Sequence, residues 1–130
     1  MNSLLLSRRD VDFLLFEWLK AGRLTERSAF ADHSRQTFDA ALDTYAEIAH
    51  AEFAPHNKKV DREPPRLVGE TVVSAPEQRS ALQAFAAAGL LAACQEETLG
   101  GMRLPYVVER AGLAFVLVDR TVLETTDDLF

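Results

Sequence analysis

Residues 34–53 read SRQTFDAALDTYAEIAHAEF and carry the clearest helical pattern in the chain. Apolar side chains recur every three or four residues along this stretch, so they share one face of a helix, while most acidic side chains fall opposite. That apolar stripe comprises Phe38, Ala41, Leu42, Tyr45, Ile48, Ala49 and Phe53. Pro55 should end or kink the helix, because proline lacks an amide hydrogen and clashes with the preceding turn. The residues expected in the core are Leu42, Tyr45, Ile48 and Ala49.

Three further segments have helical patterns. The first spans residues 11–21 and ends at Gly22; because its apolar side chains lie on more than one side, we expect it to be buried between neighbours. The next begins at SAPE, residues 74–77, which has the form of a capping box with an early proline, and it ends at Gly89. The last spans residues 105–115. The stripes of the first two are Val11, Leu14, Leu15 and Trp18, and Leu82, Phe85 and Ala86.

The segments between the helices are short. Residues 66–73 are typical of a loop or a brief extended stretch, residues 90–94 are apolar and expected to be buried, and residues 99–101 form a turn around two glycines. After Phe115 helical and strand patterns fit equally well, and residues 116–130 form a divergent tail. No repeat or linker interrupts the chain. We therefore predict one all-α domain over residues 1–130, a small bundle of about four to six helices.

The composition excludes several classes of function. A chain of 130 residues with a net charge of −6 lacks the basic surface that nucleic acids and anionic membranes attract. Its single cysteine cannot form an internal disulfide, which suits a reducing compartment. The N-terminal apolar run, Leu4-Leu5-Leu6, is too short for a signal peptide or a membrane span. A soluble, cytoplasmic protein is the expectation.

Two carboxylate–histidine pairs lie on the long helix and its continuation. Glu47 and His50 are three residues apart, and Glu52 and His56 are four apart. Di-iron helical bundles use such pairs, but they need two Glu-x-x-His motifs and two further glutamates. A solvated polar face is therefore the favoured interpretation, and no metal site is predicted.

The remaining candidates for chemistry are isolated. Cys94 precedes Gln95, Glu96 and Glu97, and acidic neighbours disfavour a reactive thiolate, so a buried structural thiol is preferred over a nucleophile. Gly100-Gly101 is interpreted as a tight turn that needs positive φ, because it is not the Gly-x-Gly-x-x-Gly of a phosphate loop. His33 is expected to be an exposed polar residue. The residues themselves predict no active site.

Two stretches nevertheless resemble a known family. Residues 45–63, YAEIAHAEFAPHNKKVDRE, and residues 88–105, AGLLAACQEETLGGMRLP, resemble the acyl-CoA dehydrogenases in order and spacing. The family often has an apolar helix running into Ala-Pro-x-Asn and a later Asp-Arg, then Ala-Gly, an apolar stretch and Gly-Gly-x-Gly-Leu-Pro. The opening helix resembles the extended N-terminus of one subgroup, so the likeness covers roughly residues 4–115. Met102, Arg103 and Glu97 depart from the family pattern.

The resemblance implies the N-terminal helical domain of a flavoprotein that oxidises acyl-CoA, or a fragment or truncated form of one. In that family FAD and the catalytic base belong mainly to a β-domain and a C-terminal bundle, so this chain alone is expected to have no cofactor and no catalytic residue. Its implied contribution is the wall of the acyl cavity, from Leu99, Gly100, Gly101, Leu104 and Pro105. The alternative is a non-catalytic helical interaction module. Either function implies a partner, namely a second copy or the missing catalytic domains.

Overall fold

The computed structural model describes residues 6–117, and within them the fold is all-α apart from one small hairpin. This confirms the predicted fold class. The predicted divergent tail lies outside the described residues, except for Val116 and Leu117, which continue the last helix. The five α-helices are α1 (Arg8–Asp12), α2 (Arg35–Ile48), α3 (Asn57–Arg62), α4 (Pro76–Ala87) and α5 (Tyr106–Leu117).

Shorter elements join these helices. A hairpin of β1 (Arg66–Val68) and β2 (Thr71–Val73) stands between α3 and α4, with Leu67 opposite Val72. The π-helical turns are Phe13–Trp18 and Ala49–Phe53. The 3-10 turns are Ala21–Glu26, Ser28–Phe30, Ala54–His56, Leu90–Ala92 and Glu97–Leu99.

Helix α2 begins with a reciprocal cap. The Ser34 side chain accepts from the Thr37 amide, and the Thr37 hydroxyl accepts from the Ser34 amide at 2.9 Å, which satisfies two otherwise unpaired donors. From Ile48 the chain continues through a π-helical turn. Pro55 then lies in a 3-10 turn that leads into α3. The proline therefore changes the type of helical turn, but the chain continues in helical turns beyond it.

The core lies where α2 packs on α5. Leu42, Tyr45 and Ala49 are completely buried, as predicted, whereas Ile48 is only half-buried. Helix α5 contributes Val108 and Phe115. The two helices approach closely because α5 presents Gly112 to the Tyr45 ring. The amphipathic stripe of α2 therefore performs the structural role that its spacing predicts.

The first helix differs from the prediction. It starts at Arg8, before Val11, and the chain leaves helical geometry at Lys20, whose φ is 53°, instead of at Gly22. A π-helical turn with the Leu19 amide bonded to the Leu14 carbonyl replaces regular α geometry after Asp12. The altered winding leaves Leu14 47% and Trp18 68% exposed, so the predicted burial of these two is wrong.

Helix α4 starts where predicted but not by the predicted cap. Its N-cap is Ala75, whose side chain has no acceptor, so no side chain caps the helix. Glu77, the acidic residue of the predicted capping box, accepts a hydrogen bond from Lys59 Nζ at 2.6 Å. Its buried face is formed by Ala81 and Phe85, whereas Leu82, predicted on the apolar stripe, is 55% exposed. The helix ends just before Gly89, and Gly89 itself has a positive φ of 77°, as its predicted role as a helix stop requires.

Candidate functional site

The loop formed by residues 88–105, which carries the second family-like motif, is a compact unit. The backbone folds back so that Leu104 N donates to Ala93 O at 2.9 Å and Arg103 N donates to Gln95 O at 2.9 Å. Both glycines are required for this closure. Gly100 has a φ of 80°, and a Cβ at Gly101 would overlap the carbonyl group of Gln95.

The five residues assigned to an acyl-cavity wall do not share one surface. Leu104 and Pro105 are buried in the core, whereas Leu99 is 67% exposed and Gly100 is exposed. Gly101 is half-buried. Gly101 and Leu104 line one cleft, of about 360 Å³. Within residues 6–117, these five residues therefore form a tight turn that leads into α5, and they do not form one continuous apolar surface.

The turn does not suit an anionic ligand. The amides of Gly100 and Gly101 donate to the carbonyls of Glu97 and Glu96, both at 3.0 Å, and the Met102 amide donates to Ala93 O. These N–H groups are therefore committed within the loop, and phosphate binding would have to replace bonds already made. The tight-turn interpretation is confirmed: Gly100 supplies the positive φ, whereas Gly101 is needed because a Cβ would overlap the Gln95 carbonyl.

His33 has a structural role that the sequence did not reveal. Its Nε2 lies 2.9 Å from Met102 O and 3.0 Å from Arg103 O, and its Nδ1 lies 3.1 Å from Thr37 Oγ1. Because Nε2 faces two carbonyl acceptors, this nitrogen carries a proton. The ring is half-buried, so the expectation of an exposed polar residue is wrong. Its contacts tie the loop to the start of α2.

The carboxylate–histidine pairs occupy different surroundings. Glu47 and His50 are exposed, as a solvated face requires. Glu52 and His56 are half-buried and line a groove between the α3 region and α4. Within residues 6–117 no three His, Cys, Asp or Glu side chains are grouped so that they could hold a metal ion.

Cys94 lies beside α5 in an environment that suppresses its ionisation. Burial, and then the negative charge and hydrogen bond of Glu109, raise the pKa of the Cys94 thiol to about 11. The side chain is half-buried. A thiol in these surroundings is mostly protonated near neutral pH, which supports the structural interpretation of this residue.

We expect Cys94 to react slowly with iodoacetamide at neutral pH, because only the thiolate is nucleophilic and its pKa is raised. The rate should climb steadily as pH increases towards the Cys94 pKa. Measuring alkylation by mass spectrometry across this range checks the expectation. Replacing Glu109 by glutamine removes the adjacent negative charge, so it should accelerate alkylation at a given pH. A rate equal to that of a free cysteine peptide would contradict the assignment.

Comparison of the sequence with models of known protein families and with curated proteins finds no match. Function must therefore be inferred from the motifs and the geometry. On the structural side, no helix within residues 6–117 combines the length and the apolar character needed to cross a membrane.

Proposed function

We propose that this chain is the helical domain of an acyl-CoA dehydrogenase-like flavoprotein, which packs against further protein and is not catalytic alone. The observation that carries the proposal is the loop of residues 88–105. Its family-like motif is also a built structural unit, in which Gly100 and Gly101 are both required and Leu104-Pro105 lead directly into α5. The proposal thus rests on the order and spacing of this motif, and the two glycines and Leu104 have defined structural roles in it.

The described residues do not fit the chemistry of the complete family by themselves. The amide groups of the double-glycine turn are hydrogen-bonded internally, so the turn does not fit the diphosphate of FAD. Cys94 has a raised pKa, which disfavours a thiolate nucleophile. The resemblance assigns FAD and acyl-CoA binding mainly to other parts of such an enzyme. The role proposed for this chain is therefore to supply a folded helical wall.

The second candidate function, a non-catalytic interaction module, is favoured by a different observation. Large apolar side chains are exposed on the first helical segment and on the hairpin, including Trp18 at 68% and Leu67 at 71%. Apolar surface of this kind marks contact with another protein when it is contiguous. The two functions are distinguished by the neighbouring gene. A reading frame for a flavin-binding domain supports the first, and an unrelated gene supports the second.

The purified 130-residue chain is expected to retain no flavin through gel filtration. The reason is that the turn most similar to a cofactor loop has no amide available for the diphosphate. Absorbance in the flavin region, measured before and after adding FAD, provides the test. Where the neighbouring gene encodes a flavin domain, co-expression should yield a yellow complex containing both chains. Stoichiometric flavin on the isolated chain would contradict the proposed division of roles.

A further inference from the structure

The end of the loop, residues 95–103, is joined to the other elements by hydrogen bonds at one place, among the residues that the structure describes. Its backbone-to-backbone hydrogen bonds all end within residues 92–104. The bonds that reach it from elsewhere come from His33, whose Nε2 lies 2.9 Å from Met102 O and 3.0 Å from Arg103 O. Most residues of the segment are exposed, so little burial opposes its separation from the core. Segments with these properties are the ones that open locally in folded proteins.

The backbone of Arg103 is strained at this connection. Its φ is 49°, in the left-handed region that is unfavourable for a residue with a Cβ. The carbonyls of Met102 and Arg103 belong to the two peptide planes that flank Arg103 Cα, so the torsion angles of Arg103 decide whether both oxygens face one donor. In this conformation they do, because His33 Nε2 reaches both. The strain and the shared hydrogen bond therefore belong to the same arrangement.

His33 is held from its other side by the start of α2. Its Nδ1 lies 3.1 Å from the hydroxyl of Thr37, which belongs to the reciprocal cap of that helix. The ring centroid of His33 is 5.5 Å from that of Phe38, which is completely buried. The imidazole is thus positioned by α2 independently of residues 95–103. Separation of the segment would break the bonds from Nε2 and relieve the strain at Arg103, while the contacts of His33 with α2 would stay.

We propose that residues 95–103 form a lid that opens as one local unit, in which the hydrogen bonds from His33 hold the closed state and the left-handed backbone of Arg103 favours the open state. A strained backbone persists only while its surroundings maintain it, so the two opposed effects allow two arrangements. Opening separates Met102 and Arg103 from His33 and widens the cleft that these residues line. The proposal does not depend on the acyl-CoA dehydrogenase relationship, because it rests on contacts among the described residues.

Native-state hydrogen exchange of the full chain, followed by NMR at low urea concentrations, tests the lid. The Gly101 and Met102 amides donate to Glu96 O and Ala93 O, so they exchange when the lid opens. Both should have similar protection factors that hardly change with urea. The amide of the buried Phe85 in α4 should instead lose protection as urea is added, because global unfolding is needed to expose it. The same urea dependence for all three amides would show that the lid does not open separately and would overturn the proposal.

Variants at the two opposed positions test the latch. His33→Leu removes the donor but keeps an apolar side chain against Phe38, and it should speed exchange of the two lid amides by about fivefold or more, the effect of one hydrogen bond. In that background Arg103→Gly should slow exchange again, because glycine adopts positive φ without strain, whereas the matched control Arg103→Ala keeps a Cβ and should not. Unchanged exchange in His33→Leu, or equal rescue by glycine and alanine, would overturn the proposal.

Discussion

Replacing Gly112 by alanine is expected to destabilise the protein, although glycine-to-alanine changes inside helices ordinarily stabilise by roughly 1 kcal/mol. Gly112 lies within α5, and a Cβ there would lie 2.6 Å from Tyr45 Cγ. Tyr45 is completely buried, so its ring has no open space to enter. Overpacking of this kind typically costs about 1–3 kcal/mol, enough to reverse the sign of the helix-propensity effect. Urea denaturation of both proteins measures the difference in the free energy of unfolding.

The control for this prediction is a double-mutant cycle with Tyr45→Leu. Removing the ring creates the space that the new methyl group requires, so Gly112→Ala in that background should be neutral or stabilising. Alanine substitution at Gly22, where an added Cβ meets nothing within 4 Å, gives a second comparison without overlap. If Gly112→Ala stabilises the wild-type protein, the close approach of α2 and α5 is incorrect.

Hydrophobic periodicity predicted α2 well because that helix has the core on one side along most of its length. Leu42 and Tyr45 of α2, and Ala49 directly after it, are spaced three and four residues apart, and all three are fully buried. The same reasoning failed for the first helix. It assumes regular α winding, and the π-helical turn Phe13–Trp18 changes which side chains face inward. Periodicity cannot reveal that change, because the same apolar residues occur in the sequence whether the segment winds as an α-helix or as a π-helix.

Short sequence motifs predicted the positions of turns better than they predicted the hydrogen-bond partners of side chains. The turn at Gly100-Gly101 was identified correctly, because glycine adopts positive φ without steric cost and Gly100 does so here. Ser74 and Glu77 have the spacing of a capping box, yet Glu77 pairs with Lys59, which is 18 residues away in the chain. His33 bonds carbonyls that are 69 and 70 residues away. Such long-range partners have no local signal in a single sequence.

The exposed apolar residues of the first helical segment lead to the other large effect that we expect, namely self-association. Phe13, Leu14, Trp18 and Leu19 are 52%, 47%, 68% and 52% exposed, and we call this the 13–19 face. Phe16 does not belong to it, because the Arg35 guanidinium lies 3.4 Å above the Phe16 ring centroid. Four large apolar side chains within seven consecutive positions exceed the scattered exposure that single-chain surfaces ordinarily show.

A symmetric dimer through the 13–19 face is the arrangement we expect, because a twofold contact covers the same apolar patch on both copies. Trp18 is the most exposed member of the face, and buried tryptophans commonly contribute 2 kcal/mol or more to an interface. Trp18→Lys should therefore raise the dimer dissociation constant by about thirtyfold or more. Sedimentation at several concentrations measures the constant, and the fluorescence of Trp18, the single tryptophan of the chain, should shift to the blue on association.

The matched control places the same substitution on the hairpin. Leu67 is 71% exposed, so Leu67→Lys removes a comparable apolar side chain while leaving the 13–19 face intact. It should leave the dissociation constant within about threefold of wild type, since surface substitutions outside a contact rarely exceed roughly 0.5 kcal/mol. If the chain sediments as a monomer at every concentration, the predicted dimer through the 13–19 face is wrong. If both lysine substitutions raised the dimer dissociation constant equally, the effect would come from added surface charge. A contact made by Trp18 in the dimer requires the two variants to differ.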